Sequence, residues 1–150
     1  METKSKISKI PKLLIIGYDH HYLKSMKRTM SQFVCKVEIL NFVKNVEILQ
    51  DNEFEKTFKR IKDTVEKDKY DKIVFDITNL SLQDYTKTKK VISYLESTGK
   101  DLLLIANGDL YKFRDIFGQA CVNKAMAKQN IVFSGTDYTI RERIKQILSF

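Results

Sequence analysis

Asp76 is the residue of this sequence that is best placed to do chemistry. It follows the apolar run Ile73-Val74-Phe75, the third of five apolar runs that alternate with helix-like patterns. In a parallel sheet, such a run carries the next side chain to the carboxyl edge, where open α/β sheets bind ligands. The sequence supplies no companion residues that would make Asp76 a working site. The pattern therefore predicts a non-catalytic signalling or docking domain.

Other reactive residue types do not fall into catalytic or metal-binding patterns. His20 and His21 open a predicted helix, where adjacent side chains point about 100° apart and do not easily chelate one metal ion. Gly17 stands alone, so the glycine-rich phosphate loop is missing, and there is no serine elbow or Cys–His pair. Cys35 and Cys121 lack motif partners, which is typical of buried thiols in a reducing cytoplasm. These patterns predict a cytoplasmic protein that is not an enzyme and needs no cofactor.

The charge of the chain favours acidic partners. Lysine and arginine number 27 against 19 acidic residues, giving a net charge of +8 over 150 residues, a length that suits one domain. There is no run of five basic residues, no arginine-rich helix and no aromatic–basic motif of an RNA-binding sheet, which argues against nucleic acid. A basic nucleic-acid-associated regulator stays open as an alternative. No apolar stretch approaches the roughly 18 residues of a membrane span, so we expect no membrane insertion.

Strand-like and helix-like patterns alternate along the whole chain. The apolar runs predict strands at residues 13–16, 34–42, 73–77, 102–105 and 131–133. The helical patterns begin near Asp19, after a cap at Asp51 or Asn52, at Leu82, at Leu110 and after Asp137. Because crossovers between parallel strands are right-handed, this order predicts one α/β domain with a doubly wound parallel sheet. We expect that domain at residues 12–150, after a basic, flexible leader at residues 1–11.

Three local features mark breaks in the regular pattern. Residues 46–49 read VEIL and repeat residues 37–40, so the two copies predict either a hairpin or an irregular extension of the second strand. Gly99 is expected just beyond the end of the third helix, where glycine is the usual residue. Gly118 is expected to bend or split the helix that begins at Leu110.

The βα order and two strand ends resemble the receiver domain of bacterial response regulators. The stretches that carry the resemblance are residues 14–19 (LIIGYD) and 71–76 (DKIVFD), and the βα order matches over most of the chain. The resemblance implies a flavodoxin-like fold, a three-layer sandwich with five parallel strands in the order 2-1-3-4-5. In that family, an aspartate at the end of the third strand accepts a phosphoryl group. Asp76 holds that position and is the phosphoacceptor candidate.

The sequence departs from the receiver pattern at the other phosphorylation residues. The corresponding positions hold Gly17 and Tyr18 for the two Mg²⁺-binding acids, Leu80 for a proline, Ala106 for a Ser or Thr, and Ser134 or Gly135 for a lysine. Asp19 and Asp76 are left as metal candidates. Mg²⁺ prefers octahedral oxygen ligands, and phosphoryl transfer depends on cations that neutralise developing charge. We therefore expect neither Mg²⁺ binding nor phosphorylation.

A second resemblance competes with the first. Residues 76–84 (DITNLSLQD) resemble the central segment of the anti-sigma-factor antagonist (STAS) domain, and residues 107–114 (NGDLYKFR) resemble its following loop and helix. In that family a Ser or Thr just after the second aspartate is phosphorylated, and Thr86 matches with a one-residue offset. That fold starts with a β-hairpin, which fits this chain only if residues 37–49 form one.

The receiver resemblance also implies a partner-docking face on the fourth and fifth strands and the helices that follow them. Its aromatic and basic residues would be Tyr111, Lys112, Arg114, Lys124, Lys128, Tyr138, Arg141 and Lys145. Aromatic and arginine residues anchor interfaces, while scattered lysines mostly steer encounter. The expected partner is therefore an acidic protein or a second copy of the chain rather than a small-molecule substrate.

Overall fold

The computed structural model describes residues 10–17, 20–42, 44, 46–77, 85–107, 110–128, 131–134 and 140–149. Within these residues the elements are β1 (Ile10–Gly17), α1 (His20–Met30), β2 (Val34–Asn41), a 3₁₀ helix (Val46–Ile48), α2 (Asp51–Lys67), β3 (Lys72–Ile77), α3 (Thr86–Ser97), β4 (Asp101–Asn107), α4 (Leu110–Phe117), α5 (Gln119–Lys128), β5 (Ile131–Ser134) and α6 (Ile140–Ser149). β1 begins at Ile10, two residues before the expected start of the domain at residue 12. The rest of the leader, residues 1–9, lies outside the described residues.

The strands form a parallel sheet with β1 and β3 at its centre. β1 pairs with β2 on one side and with β3 on the other, and β4 pairs with β3. The α/β class and the parallel order 2-1-3-4 are therefore confirmed. β5 runs parallel to β4, with Ile131 opposite Leu104 and Ser134 opposite Asn107. Because every pair is parallel, the strand ends that lead into helices meet at one carboxyl edge.

Each face of the sheet has its own hydrophobic core, because successive strand residues point to opposite sides. On one side, Leu14 and Ile16 pack with buried residues of α2, α3, α4 and α5. On the other, Leu13 and Ile15 pack with buried residues of α1 and α6. Burial on both faces explains why β1 is a continuous apolar run. Helices on both sides of a parallel sheet are consistent with a flavodoxin-like fold.

The second helix begins earlier than its sequence predicts. Its N-cap is Gln50, whose backbone N–H donates to the Glu53 carboxylate at 3.3 Å. The predicted cap at Asp51 or Asn52 is wrong, because the carboxylate of Glu53, the third residue of the helix, accepts the N–H of Gln50, the residue before the helix begins. Three residues of α2 are buried on its apolar side: Phe54, Ile61 and Val65.

The breaks in the pattern are resolved as turns. Val46–Ile48 is a 3₁₀ helix and β2 pairs in parallel with β1, so the hairpin interpretation is wrong and the irregular extension is right. Gly118, with φ +91°, separates α4 from α5. Gly99, with φ +74°, follows α3, and its N–H donates to the Glu96 carbonyl at 3.3 Å. Glycine reaches these positive φ values without the Cβ clash of other residues.

Two further expectations concern the burial of the cysteine thiols and the absence of a membrane span. Cys121 is half-buried on α5 rather than buried, and burial raises the pKa of its thiol. The Cys35 side chain lies outside the described part of the chain. None of the helices that the structure describes is long and apolar enough to cross a membrane.

Candidate functional site

Asp76 lies one residue before the end of β3, opposite Ile105 of β4. It is 5% exposed. It shares a sheet face with Gly17, since a Cβ atom built on Gly17 would lie 3.4 Å from Cβ of Asp76. The buried Oδ1 atom of Asp76 accepts no hydrogen bond within the described residues, although the residue does take part in a further interaction. The sequence therefore predicts the position of this carboxylate but not its enclosure.

Gly17 stands where the receiver pattern has a metal-binding acid. A Cβ atom built on it would also lie 3.2 Å from Cδ1 of Leu23, closer than an ordinary carbon–carbon contact. The space beside Asp76 on this side is thus filled by Leu23 and by backbone, and residue 17 offers no side-chain oxygen. A Mg²⁺ site that needs a second carboxylate here does not fit these residues. Tyr18 and Asp19 lie outside the described residues.

A small cavity, which we call the carboxyl-edge cavity, lies beside Asp76. Its lining is mostly apolar and consists of Gly17, Phe42, Val46, Phe75, Asp76, Ile77 and Thr88. Its volume is about 10 Å³, close to the minimum that holds one water molecule. Elsewhere in the described ranges, no three His, Cys, Asp or Glu side chains come together as metal ligands. The carboxyl-edge cavity therefore has room for a water-sized group and not for a substrate.

Glu47 caps the helix that starts nearest to this cavity. Its Oε1 accepts the backbone N–H of Thr88 at 2.9 Å, and its Oε2 accepts that of Lys87 at 3.3 Å. The first N–H groups of a helix have no partner within the helix and carry partial positive charge, so a carboxylate stabilises them. Glu47 thus occupies the place at α3 where an external anion would bind.

The sequence gives no signal for this cap. Glu47 lies in the second VEIL copy, 41 residues before Thr88, and only the fold brings the two together. The 3₁₀ helix explains the contact because it directs the chain after β2 across the start of α3. The irregular extension therefore has a structural role that its sequence does not reveal.

The remaining phosphorylation candidates are spread along the carboxyl edge. Thr86 is the exposed first residue of α3, and the neighbouring Lys87 lies 3.6 Å from the Asp51 carboxylate. Ala106, in the position of the receiver Ser or Thr, is fully buried in β4. Asp84, the second aspartate of the STAS resemblance, lies outside the described residues.

The predicted docking face falls on helices that lie on opposite sides of the sheet. On α4, Tyr111 is 67% exposed and the Arg114 guanidinium lies 5.2 Å from its ring centroid. Lys112 on α4 and Lys124 on α5 are exposed, whereas Lys145 on α6 lies 3.7 Å from the Glu142 carboxylate. The side chains of three members of the predicted face lie outside the described part of the chain: Lys128, Tyr138 and Arg141. The structure thus supports an exposed aromatic–arginine pair on α4 and leaves the full face a prediction.

At the other end of the sheet lies a polar cluster, which we call the amino-end cluster: Lys12, Lys36, Glu38, Asp68 and Tyr70. The Tyr70 hydroxyl donates to the Glu38 carboxylate. Lys36 lies 3.3 Å from Glu38, and Lys12 lies 3.0 Å from Asp68. The Tyr70 hydrogen bond is the main cause that holds the pKa of Glu38 below its ordinary value, and burial is the main cause that raises the pKa of Tyr70. These groups hold one another in place.

Comparison with known proteins does not assign the chain to a family. No protein-family model matches it, and no curated protein matches it significantly. The argument for function therefore depends on the fold and on the geometry of its edges and helix surfaces.

Proposed function

We propose that this protein is a non-catalytic signal-transduction module that docks a partner protein and has a receiver-like, five-stranded flavodoxin fold. The observation that carries the proposal is the enclosure of Asp76 beside Gly17. The acceptor carboxylate of the receiver pattern is present, but the described neighbours Gly17 and Leu23 provide packing instead of ligands.

The chemistry of the carboxyl edge supports the loss of phosphorylation. Phosphoryl transfer needs cations that neutralise the transferring group, usually Mg²⁺ and a lysine. Gly17 has no oxygen donor, and residues 134 and 135 are serine and glycine. The carboxyl-edge cavity, at about 10 Å³, is too small for a phosphoryl group with its metal. Asp76 is then a structural carboxylate of the edge.

The first experiment tests phosphorylation directly. The protein is incubated with acetyl phosphate and Mg²⁺, and its intact mass is measured. We expect no added phosphoryl group, and no beryllofluoride-dependent change in amide NMR spectra. A mass increase or a spectral change that disappears in Asp76→Asn would overturn the non-catalytic assignment.

Without phosphorylation, the exposed surface of the protein can still dock a partner protein. Tyr111 with Arg114 is an aromatic–arginine pair of the kind that anchors interfaces, and the net charge of +8 favours an acidic partner. A second copy of the chain is the other candidate partner, which sedimentation at several concentrations would reveal. The Thr86 alternative stays a prediction.

The second experiment tests the docking surface. Partner capture by the intact chain is compared with capture by Tyr111→Ala/Arg114→Ala at low and high salt, with Lys24→Ala/Lys27→Ala on α1 as the control. We expect the α4 variant to lose the partner, the control to keep it, and salt to weaken the interaction. Unchanged capture by the α4 variant, with loss in Thr86→Glu, would favour the antagonist-domain alternative. Retention of a generic DNA probe with steep salt dependence would favour the nucleic-acid alternative.

A further inference from the structure

An open groove lies between helices α2 and α3, on the side of the sheet that α4 also covers. Its lining residues come from both helices: Glu55, Phe58, Lys62, Thr86, Lys89, Lys90 and Ser93. The groove has a volume of about 490 Å³, and apart from the half-buried Phe58 its lining side chains are largely exposed. It is therefore a surface groove and not an enclosed ligand pocket.

The floor of the groove is held in place by aromatic contacts. The Phe58 ring stacks on Phe54 with the ring centroids 5.4 Å apart, and the edge of Tyr94 meets it at 5.9 Å. The Tyr94 hydroxyl donates to the Glu66 carboxylate at 3.1 Å, which links α3 to α2. Burial and this bond raise the pKa of Tyr94 to about 12. Two helices joined in this way present a preformed groove, which lowers the entropic cost of binding.

The groove concentrates positive charge that the described residues do not neutralise. Lys62, Lys89 and Lys90 have no carboxylate within ion-pair distance anywhere in the described ranges. Exposed lysines nearby do find carboxylates: Lys59 lies 2.8 Å from Asp63, and Lys124 lies 3.5 Å from Glu96. An anion that enters the groove would therefore meet cations that are not already committed to ion pairs.

The aromatic floor discriminates between anionic polymers. Single-stranded nucleic acids bind proteins largely by stacking bases on exposed aromatic faces. In this groove Phe54 covers one side of the Phe58 ring, and the Lys62 ammonium lies 4.3 Å from the ring centroid. A base would have to displace Lys62 to stack there. Carboxylates of a peptide need only approach the lysine ammonium groups.

The dimensions of the groove suit an extended peptide. A second groove of about 430 Å³ lies between the same helices nearer the amino end of the sheet, and its charged and aromatic lining residues are Glu66, Asp68, Lys69, Tyr94 and Lys100. From Glu55 to Glu66 of α2 the path is about 17 Å at the helical rise per residue. About five residues of extended chain cover that length.

We propose that the α2–α3 groove docks an acidic peptide segment of a partner protein, with Lys62, Lys89 and Lys90 contacting its carboxylates. This inference goes beyond the proposed function, because it requires neither Asp76 nor the Tyr111–Arg114 pair. It adds a second interaction surface, of defined charge, that includes residues of the α3 turn capped by Glu47.

The test measures binding of a fluorescent eight-residue peptide of Glu, Asp and Leu by anisotropy at low salt. The variant is Lys89→Gln/Lys90→Gln, and the matched control is Lys24→Gln/Lys27→Gln, which removes the same charge from α1 on the opposite face. We expect the groove variant to raise the Kd about tenfold and the control less than about twofold, from the usual contribution of one to two close charge pairs. Circular dichroism would confirm that both variants fold.

Three results would overturn the inference. They are no saturable binding of the peptide, equal loss in both double variants, and tighter binding of a single-stranded oligonucleotide than of the peptide. Tyr111→Ala/Arg114→Ala serves to separate the two proposals and should keep full peptide binding. If that variant alone loses the peptide, the groove proposal fails while the α4 docking surface stands.

Discussion

At the amino end of the sheet, the buried Tyr70 bonds to the partly exposed Glu38 and Lys12 pairs with Asp68, whereas at the carboxyl edge Asp76 is enclosed beside Gly17. The Glu38 side chain is 32% exposed and is bonded by Tyr70 and approached by Lys36. Asp76 is 5% exposed and lies against a cavity with room for one water. Open α/β sheets usually show the reverse, with packing at the amino end and ligand chemistry at the carboxyl edge.

The comparison indicates where a function can still reside. Among the described residues of the carboxyl edge, Gly17 and Leu23 fill the space beside Asp76, and Glu47 occupies the start of α3. The free positive charge lies instead on the helix surfaces, above all in the α2–α3 groove. Under the proposed function, the domain would interact through its helix surfaces.

The largest effect is expected from filling the space beside Asp76. In Gly17→Val, the new Cβ would lie 3.2 Å from Leu23 and 3.4 Å from Asp76, and its methyl groups would press further into a packed edge. Overpacking of this kind should lower the free energy of unfolding by about 2 kcal/mol. Urea denaturation at neutral pH measures it. A neutral or stabilising result would mean that the edge is loosely packed and could admit a ligand.

Gly99→Ala is the counterpart at the amino end. A Cβ atom built on Gly99 meets nothing within 4 Å, but the residue has φ +74°. The cost should therefore come from the backbone alone, at about 1 kcal/mol. If Gly99→Ala cost more than Gly17→Val, the contrast in packing between the two ends would be wrong.

Removal of the Glu47 cap should have the next largest effect. Glu47→Ala leaves the N–H groups of Lys87 and Thr88 without their carboxylate, which should cost about 1 kcal/mol. Glu47→Gln keeps one acceptor oxygen and should recover part of that loss, while Glu55→Ala on the exposed surface of α2 should change little. Urea denaturation of the three variants checks this order. Equal stability of Glu47→Ala and the intact protein would show that the cap is replaced by solvent.

Most of the fold could be predicted from the sequence because apolar runs and helical periods have local causes. Leu13–Ile16 is buried on both faces and therefore continuous, and Gly99 and Gly118 have the positive φ that their positions require. The errors lie where local signals do not decide between structures: both VEIL copies suit a strand, yet the second forms a 3₁₀ helix, from which Glu47 contacts α3.

The candidate site could be predicted only as a position. Asp76 lies where its apolar run places it, but its enclosure depends on Gly17 and Leu23, which are distant in sequence. No pattern in the sequence predicts the α2–α3 groove. Its lysines read as ordinary exposed residues of two separate helices until packing through Phe58 and Tyr94 brings them together.

A smaller effect is expected in the amino-end cluster. Tyr70→Phe removes the hydroxyl that donates to Glu38, which should cost about 1 kcal/mol at neutral pH. The effect should also depend on pH, because this bond is the main cause that lowers the pKa of Glu38 from 4.5. A lowered pKa contributes stability that is fully present above pH 4.5 and is lost as the pH falls through the folded-state value.

Urea denaturation between roughly pH 6 and pH 3 tests that dependence, because this interval spans the ordinary pKa values of carboxylates. The intact protein should lose stability more steeply on acidification than Tyr70→Phe. On the alkaline side, the raised pKa of Tyr70 contributes stability that is fully present below pH 10.0 and is lost as the pH rises through its folded-state value. Parallel curves for the two proteins would show that the Tyr70–Glu38 bond adds nothing to folding.

The smallest effect is expected from the exposed cation of the same cluster. Lys36 lies 3.3 Å from Glu38, but its side chain is 54% exposed, so solvent and salt screen the pair. Lys36→Gln should therefore change the free energy of unfolding by roughly 0.5 kcal/mol or less, well below the effect of Tyr70→Phe. Urea denaturation at low and high salt measures both the size and the screening. If Lys36→Gln equalled Tyr70→Phe at low salt, the amino-end cluster would be held by its surface charges and not by the buried tyrosine, and the two ends of the sheet would differ less than their burial indicates.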